Sequence, residues 1–177
     1  MDFDGLVDRY SKPIYNLTYR LLGDADEAAD VTQETFIRAY RSFSRFRGEA
    51  SVYTWLYRIA VNLCKNRFRQ RDGAGRFEGP SLDAVGRGRG ESSLADTVAD
   101  TDTPDAVLQR KELRARIEQA ISELPYDYRI VAVLRDLQGL SYQQIAEAAD
   151  LSVDVVRTRL ARARGMLRRR LEAYLAE

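Results

Sequence analysis

The sequence predicts an all-α protein of two small helical domains joined by a flexible linker, the C-terminal domain carrying a helix-turn-helix. Three observations predict it. Apolar residues recur at spacings of three and four through residues 1–71 and again from 104 onward, the period of helices with one buried face. Between 72 and 103 that periodicity vanishes, while Gly73, Gly75, Gly79, Gly86, Gly88, Gly90, Pro80 and several serines accumulate. Near the C-terminus two serine-capped helix starts stand eleven residues apart.

The first helix is marked by Leu6, Tyr10, Ile14, Leu17 and Leu21, with a kink or fresh start expected at Pro13, capped by Ser11. Gly23 ends it, and Asp24 or Asp26 caps the next, whose buried stripe is Ala28, Val31, Thr35, Ala39 and Phe43. A third helix follows Ser51, with Val52, Trp55, Leu56, Ile59 and Leu63 expected to face inward. A structureless stretch of about thirty residues exceeds what one compact domain accommodates, so 72–103 reads as a tether. Its Gly86-Arg87-Gly88-Arg89-Gly90 run, beside nearby acids, reads as spacer rather than an RNA-binding box. After Pro104 the helical pattern resumes through Leu108, Leu113 and Ile117 to Leu124, and Pro125 opens another helix ending near Gly139.

The net charge of +1 conceals segregated blocks. Residues 1–37 hold eight acids and three bases, whereas 38–71 hold nine bases against Glu49 alone. Residues 151–171 hold seven arginines against Asp154. Two basic blocks far apart in the chain favour contact with nucleic acid over an ordinary mixed surface. The absence of histidine and the single Cys64 exclude an internal disulfide, a nitrogen/sulfur zinc site and an imidazole-based triad, and they suit a reducing cytosol. The N-terminus lacks a signal-peptide pattern and no apolar run is long enough for a membrane span, so a cytoplasmic protein is expected. No nucleophile–base pair, phosphate loop or metal set is evident. No catalytic residue, cofactor or metal is assigned.

The strongest motif lies in 140–171. Ser141 and Gln144 form an S-x-x-Q capping box, with Leu140 placed to staple against Ile145. Ser152 is a second cap, with Leu151 facing Val156, and Ala149-Asp150-Leu151-Ser152 is a tight turn between the two helices. This is helix-turn-helix spacing. The second helix buries Val156, Leu160, Ala163, Leu167 and Leu171, leaving Arg157, Thr158, Ala161, Arg162, Arg164, Arg168 and Arg169 for a major groove. Its N-terminal part suits base edges, and its later arginines suit phosphates.

On the third helix Arg58, Asn62, Lys65 and Arg69 form one stripe, with Asn66 beside it, and Phe46, Tyr53, Trp55 and Tyr57 bring rings close. Basic groups with stacking surfaces are what a single strand requires, although Trp55 taken alone reads as core. On the preceding helix Asp30, Gln33, Glu34, Ile37 and Arg38 share a non-core sector, and an exposed Ile37 among charges marks a docking face. Asp24, Asp26, Glu27 and Asp30 could form a nuclease-like metal cluster, but acids also favour a helix N-terminus, which is the preferred reading.

The runs Asp30-Val31-Thr32-Gln33-Glu34-Thr35-Phe36-Ile37-Arg38-Ala39-Tyr40, Phe46-Arg47-Gly48 and Tyr53-Thr54-Trp55-Leu56-Tyr57-Arg58-Ile59-Ala60-Val61-Asn62 closely resemble extracytoplasmic-function (ECF) sigma factors. Leu140-Ser141-Tyr142-Gln143-Gln144-Ile145-Ala146 and Val156-Arg157-Thr158-Arg159-Leu160-Ala161-Arg162-Ala163-Arg164 agree, in the expected order. The resemblance implies a region 2 domain over 1–71, a linker over 72–103 and a region 4 domain over 104–177. It implies that Asp30, Gln33, Glu34, Ile37 and Arg38 bind bacterial core RNA polymerase. Phe46, Arg58, Asn62, Lys65, Asn66 and Arg69 would handle a single-stranded minus-ten element, with Phe46 and Asn62 forming a pocket for an unstacked base. Arg157, Thr158, Ala161, Arg162, Arg164 and Arg168 would read a duplex minus-thirty-five element. An anti-sigma factor is a further implied partner, and the chain would act as a monomer in a one-to-one holoenzyme. Asp154 and Val155 replace the Gly-Thr pair of relatives, so an N-terminal cap by Asp154 is expected there in place of a base contact. The competing readings are a helix-turn-helix regulator that does not deliver polymerase, and a metal-dependent nuclease.

Overall fold

Seven α-helices account for the described part of the chain, a computed structural model that describes residues 2–46, 48, 51–73 and 103–175. The linker expected over 72–103 lies, from 74 to 102, outside the described residues. No strand occurs among the described residues.

Helix α1 spans Phe3–Leu22 and α2 spans Ala25–Phe43. Asp2 caps α1 through the Gly5 amide, and Asp24 caps α2 through the Glu27 amide at 2.8 Å. Gly23 joins them at φ 74°, a left-handed conformation that costs glycine nothing, and its amide donates to the Tyr19 carbonyl. Pro13 lies inside a continuous α1, which corrects the expected break at Ser11. Leu6 on one side of it and Ile14, Leu17 and Leu21 on the other are all fully buried in the same core. Their burial, at about 1.5–3 kcal/mol per large side chain, outweighs the roughly 3 kcal/mol that proline costs mid-helix. Buried Thr18 marks the α1–α2 crossing, its hydroxyl 3.0 Å from Thr32 Oγ1 and 3.2 Å from the Ala28 carbonyl.

Helix α3 spans Val52–Asp72, with Ser51 capping through the Thr54 amide. Its buried face is broader than the inward stripe read from spacing. Leu56 and Leu63 are buried as expected, but Val52, Trp55 and Ile59 are only half-buried, while Tyr57, Ala60, Val61 and Cys64 are buried. The reason is tertiary: α1 and α2 cover one side of α3, and the second domain covers another.

That second domain begins with α4 (Pro104–Ser122), whose Pro104 takes the first helical position. Only the end of α4 is buried, at Ala120 and Ile121; Val107, Leu108 and Leu113 are at least half exposed. Helix α5 (Tyr126–Ala132) continues into a π-helical turn over Val133–Leu137, and Gly139 follows at φ 72°. Helices α6 (Tyr142–Ala149) and α7 (Val153–Leu175) complete the domain.

The two domains pack together. Helix α6 rests on α3, and α4, α5 and the π turn meet α1. The Tyr57 hydroxyl donates to Gln138 Oε1 at 2.7 Å, the Tyr53 hydroxyl to the Gln138 carbonyl at 3.3 Å, and the Phe68 and Tyr126 rings stack at 4.7 Å. Arg129, 7% exposed, donates across the seam to the Leu21 carbonyl at 2.7 Å and, within its own domain, to the Ser122 and Leu124 carbonyls.

Burial pushes the Cys64 thiol and the Tyr57 and Tyr126 phenols above their ordinary values of 9.0, 10.0 and 10.0; Tyr53 adds to the rise at Tyr57 and Glu27 to that at Cys64. The folded state therefore favours the neutral forms, and the stability they contribute is intact below pH 9 and falls as the unfolded chain begins to ionise. The expected slope is about 1.4 kcal/mol per pH unit for each group above its ordinary value. Urea midpoints should drop between pH 9 and 11. The drop should be shallower in Tyr57→Phe; an equal drop in that variant would show that this seam is not desolvated.

Candidate functional site

Three surfaces collect the residues singled out by the sequence. The first is a cleft of about 380 Å³ between α2 and α3, lined by Asp30, Val31, Gln33, Glu34, Ile37 and Arg38 from α2 and by Leu63, Asn66, Arg67 and Gln70 from α3. All five residues expected to form the docking face share it. Asn66, grouped with the nucleic-acid stripe in the sequence, opens into it as well. The helical period places Asp30, Glu34, Ile37 and Arg38 on one side of α2, because Val31, Thr35 and Ala39 take the other into the core. Arg38 Nε donates to Glu34 Oε1 at 2.7 Å, so these two charges partly compensate each other, and Asp30 and Arg67 bring one further charge of each sign to the lining.

Beside the cleft, Phe3, Val7, Phe36, Ile37 and Tyr40 line an apolar depression, with Ile37 40% and Tyr40 68% exposed. The Phe3 ring sits edge-on to Tyr40 at 5.1 Å. Sequence reasoning did not single out Tyr40 or Phe3. The signal was present in Tyr40 standing three residues after Ile37 and so on the same exposed side.

The second surface is the α3 stripe. Arg58, Asn62, Asn66 and Arg69 are exposed and Lys65 is half-buried. The Phe46 ring packs against the half-buried Trp55 at 4.8 Å, beside the start of this stripe. Tyr53 and Tyr57, expected as accessible rings, instead pack against each other at a tilt, centroids 4.2 Å apart, and bond to Gln138, with Tyr57 fully buried.

The third is the helix-turn-helix. Ser141 and Gln144 make both capping-box bonds, at 3.2 and 2.9 Å, and Leu140 and Ile145 are buried together. Asp150 closes α6 in a left-handed conformation, φ 55°, tolerable for an aspartate. Ser152 accepts from the Val155 amide, opening α7. Ile145, Ala146, Val156 and Leu160 are buried in the core where α6 meets α7. Asp154, expected as an N-terminal cap, is 91% exposed and pairs with Arg157 at 3.4 Å; Ser152 takes the capping role.

The α7 arginines divide into two sets. Arg157, Arg168 and Arg169 are exposed, together with Thr158 and Ala161, and Arg162 is half-buried. Arg159 pairs with Asp127 at 3.4 Å, Arg170 with Glu123 at 3.7 Å, and Arg164 makes a bidentate pair with Asp136. Arg164 was expected at the groove; the structure places it against its own domain instead. Likewise Asp24 caps α2 and Glu27 meets Arg71 at 3.5 Å, and among the described residues no three His, Cys, Asp or Glu come together as metal ligands. No helix among the described residues is long and apolar enough to cross a membrane.

These features define a two-domain helical protein with a helix-turn-helix and a basic stripe on separate domains. The sequence profile of Sigma-70 region 2 matches residues 6–73 and that of Sigma-70 region 4 matches residues 114–167. RNA polymerase sigma-H factor of Pseudomonas aeruginosa is 39% identical over 99% of this chain and 89% of its own length. ECF RNA polymerase sigma-E factor of Haemophilus influenzae is 39% identical over 98% of this chain and 89% of its own. Among solved structures, CnrH in complex with the cytosolic domain of CnrY is 25% identical, with a TM-score of 0.65 over 97% of this chain and 88% of that one. The sigma factor RpoE bound to the anti-sigma factor NepR, from Bartonella quintana, shares the fold at a TM-score of 0.68 and 20% identity, covering 97% of each chain. The chain belongs to the ECF family of RNA polymerase sigma factors.

Proposed function

We propose that this chain binds bacterial core RNA polymerase one-to-one and directs it to promoters, reading a duplex minus-thirty-five element with its second domain and a melted minus-ten element with its first. The observation that carries the division of labour is the presence of three separate surfaces on one chain: the α2–α3 cleft, the α3 stripe, and the exposed side of α7. The cleft, with Asp30 in its lining and Ile37 and Tyr40 exposed, is the polymerase-docking face. Phe46, Arg58, Asn62, Lys65, Asn66 and Arg69 take the minus-ten strand. Arg157, Thr158, Ala161 and Arg162 face the minus-thirty-five groove, and Arg168 supports them electrostatically. Residues 1–71 and 104–177 then act as separate units across the 72–103 tether. CnrH was solved with a bound protein, the cytosolic domain of CnrY. The proposal extends to an anti-sigma factor as a partner of this chain, and to a role without catalytic residues, exercised in the cytoplasm.

The two elements lie about 25 base pairs apart, roughly 85 Å of duplex at 3.4 Å per pair. A compact 177-residue chain is roughly 40 Å across. Reading both at once therefore requires the seam between the domains to part.

Promoter-specific transcription with purified core polymerase tests the proposal. The chain should confer start-site selection, and reversing charge at Asp30 and Glu34 should abolish holoenzyme assembly while leaving helix content unchanged. A regulator acting without polymerase delivery would bind DNA but confer no specific initiation, and assembly unaffected by charge reversal would remove this docking face.

On α7, Arg157→Ala should relax preference at one minus-thirty-five base pair by roughly 1–3 kcal/mol. Arg168→Ala should weaken all duplexes alike and lower the salt slope by about one. Titrations on matched and substituted duplexes at several salt concentrations separate the two. Base preference altered by Arg168→Ala alone would invert the assignment.

A further inference from the structure

Resting on the reading of α7 as the minus-thirty-five helix, we propose that Asp136 and Arg164 are positioning residues for promoter specificity: their ion pair sets the tilt and rotation of α7 and thereby aims Arg157, Thr158 and Ala161 at the bases.

The pair has the form of a built clamp. Arg164 Nε and Nη2 donate to the two Asp136 carboxylate oxygens at 3.2 and 2.5 Å, with the Asp136 side chain 4% and the Arg164 side chain 21% exposed. A fork-to-fork guanidinium–carboxylate bond fixes orientation as well as distance, which a lysine ammonium cannot do. A carboxylate this deeply buried cannot be left without its cation at small cost.

Asp136 sits on the π turn Val133–Leu137, where the extra residue per turn rotates the following side chains relative to a regular helix. The Gln138 amide reaches the Val133 carbonyl at 3.0 Å across this wide turn. A side chain that is polar in a π turn and buried against α7 is a feature the hydrophobic core alone does not require.

Two weaker ties lie along the same helix, Arg159 to Asp127 and Arg170 to Glu123. Arg159 is about a quarter exposed and Arg170 about a third, so solvent screens both more than it screens Arg164. The buried pair is the rigid point. Arg157 lies seven residues before Arg164, about 10 Å along the axis. A tilt of about 10° at the clamp would therefore move the reading end by about 2 Å, whereas base-edge hydrogen bonds tolerate only a few tenths of an ångström.

The arrangement assigns to Arg164 a role opposite to phosphate neutralisation, and the two roles separate experimentally. Holoenzyme carrying the full chain with Asp136→Asn, Arg164→Lys or both would be titrated with duplexes covering every single substitution in the minus-thirty-five element, at several salt concentrations. Circular dichroism would monitor the fold. The expected result is that each single variant flattens discrimination at the positions read by Arg157, Thr158 and Ala161 about tenfold, with the salt slope unchanged. The double variant should be no worse than either single, because one interaction is removed three ways.

Unaltered discrimination with Arg164→Lys, together with a salt slope lowered by about one in Arg164→Ala, would identify Arg164 as a phosphate contact and overturn the proposal. Loss of the helical fold at assay temperature in both single variants would show a purely structural pair and would overturn it too. If the unmodified holoenzyme selects no minus-thirty-five sequence, the reading of α7 itself fails. Selection by the unmodified protein with unchanged variants removes only the clamp.

Discussion

The buried guanidinium of Arg129 is the constraint around which the described molecule closes. A helix leaves its last carbonyls without intrahelical donors, and α1 ends at Leu22 on a glycine turn that supplies only one. Arg129 reaches the Leu21 carbonyl from the other domain while holding the Ser122 and Leu124 carbonyls at the end of α4. One planar charge thus satisfies the ends of two helices from two domains. Around it Phe68 stacks on Tyr126, Tyr57 is sealed beneath Gln138, and Cys64 is driven to its neutral thiol form. The seam is polar at its points of fixation and apolar between them. Such a seam is specific in register, and parting it exposes Tyr57, Cys64 and Tyr126, which are buried in one core shared by the two domains.

The same economy of arginine governs the recognition helix. Seven arginines between 151 and 171 read in sequence as one basic surface, because only Asp154 lies among them. Three of the seven are tied to Asp127, Asp136 and Glu123, residues from 28 to 47 positions earlier in the chain. Charge patterning along a helix detects partners three or four residues away and is blind to these. The outcome is a helix whose cations have been sorted by rotation: one side anchors to α4, α5 and the π turn, and another, with Arg157, Thr158 and Ala161, remains open.

What was legible in the sequence was local. Asp24, Ser51, Ser141 and Ser152 cap helices because a short polar side chain before an apolar-periodic run has few other uses, and Gly23 and Gly139 adopt the positive φ their positions demand. Asp30, Gln33, Glu34, Ile37 and Arg38 of α2 fall together in one cleft because their spacing follows the helix period. What was not legible depended on partners distant in the chain. Pro13 reads as a break until Leu6, Ile14, Leu17 and Leu21 are seen to share one core. Tyr53 and Tyr57 read as open rings until the second domain is seen to cover them, and Arg164 reads as a DNA contact until Asp136 is found beneath it.

The proposed reading of two promoter elements roughly 85 Å apart requires the chain closed at the Arg129 seam to open. The distance between the domains tests that account most directly. Spin labels at the exposed positions Asp26 and Glu147, one on each domain, would report it, with the buried Cys64 thiol left unmodified. In the free chain the separation should fall within the roughly 40 Å of a compact molecule. With core polymerase and a promoter carrying both elements it should lengthen by several tens of ångströms. An unchanged separation in a complex that initiates transcription would contradict the account.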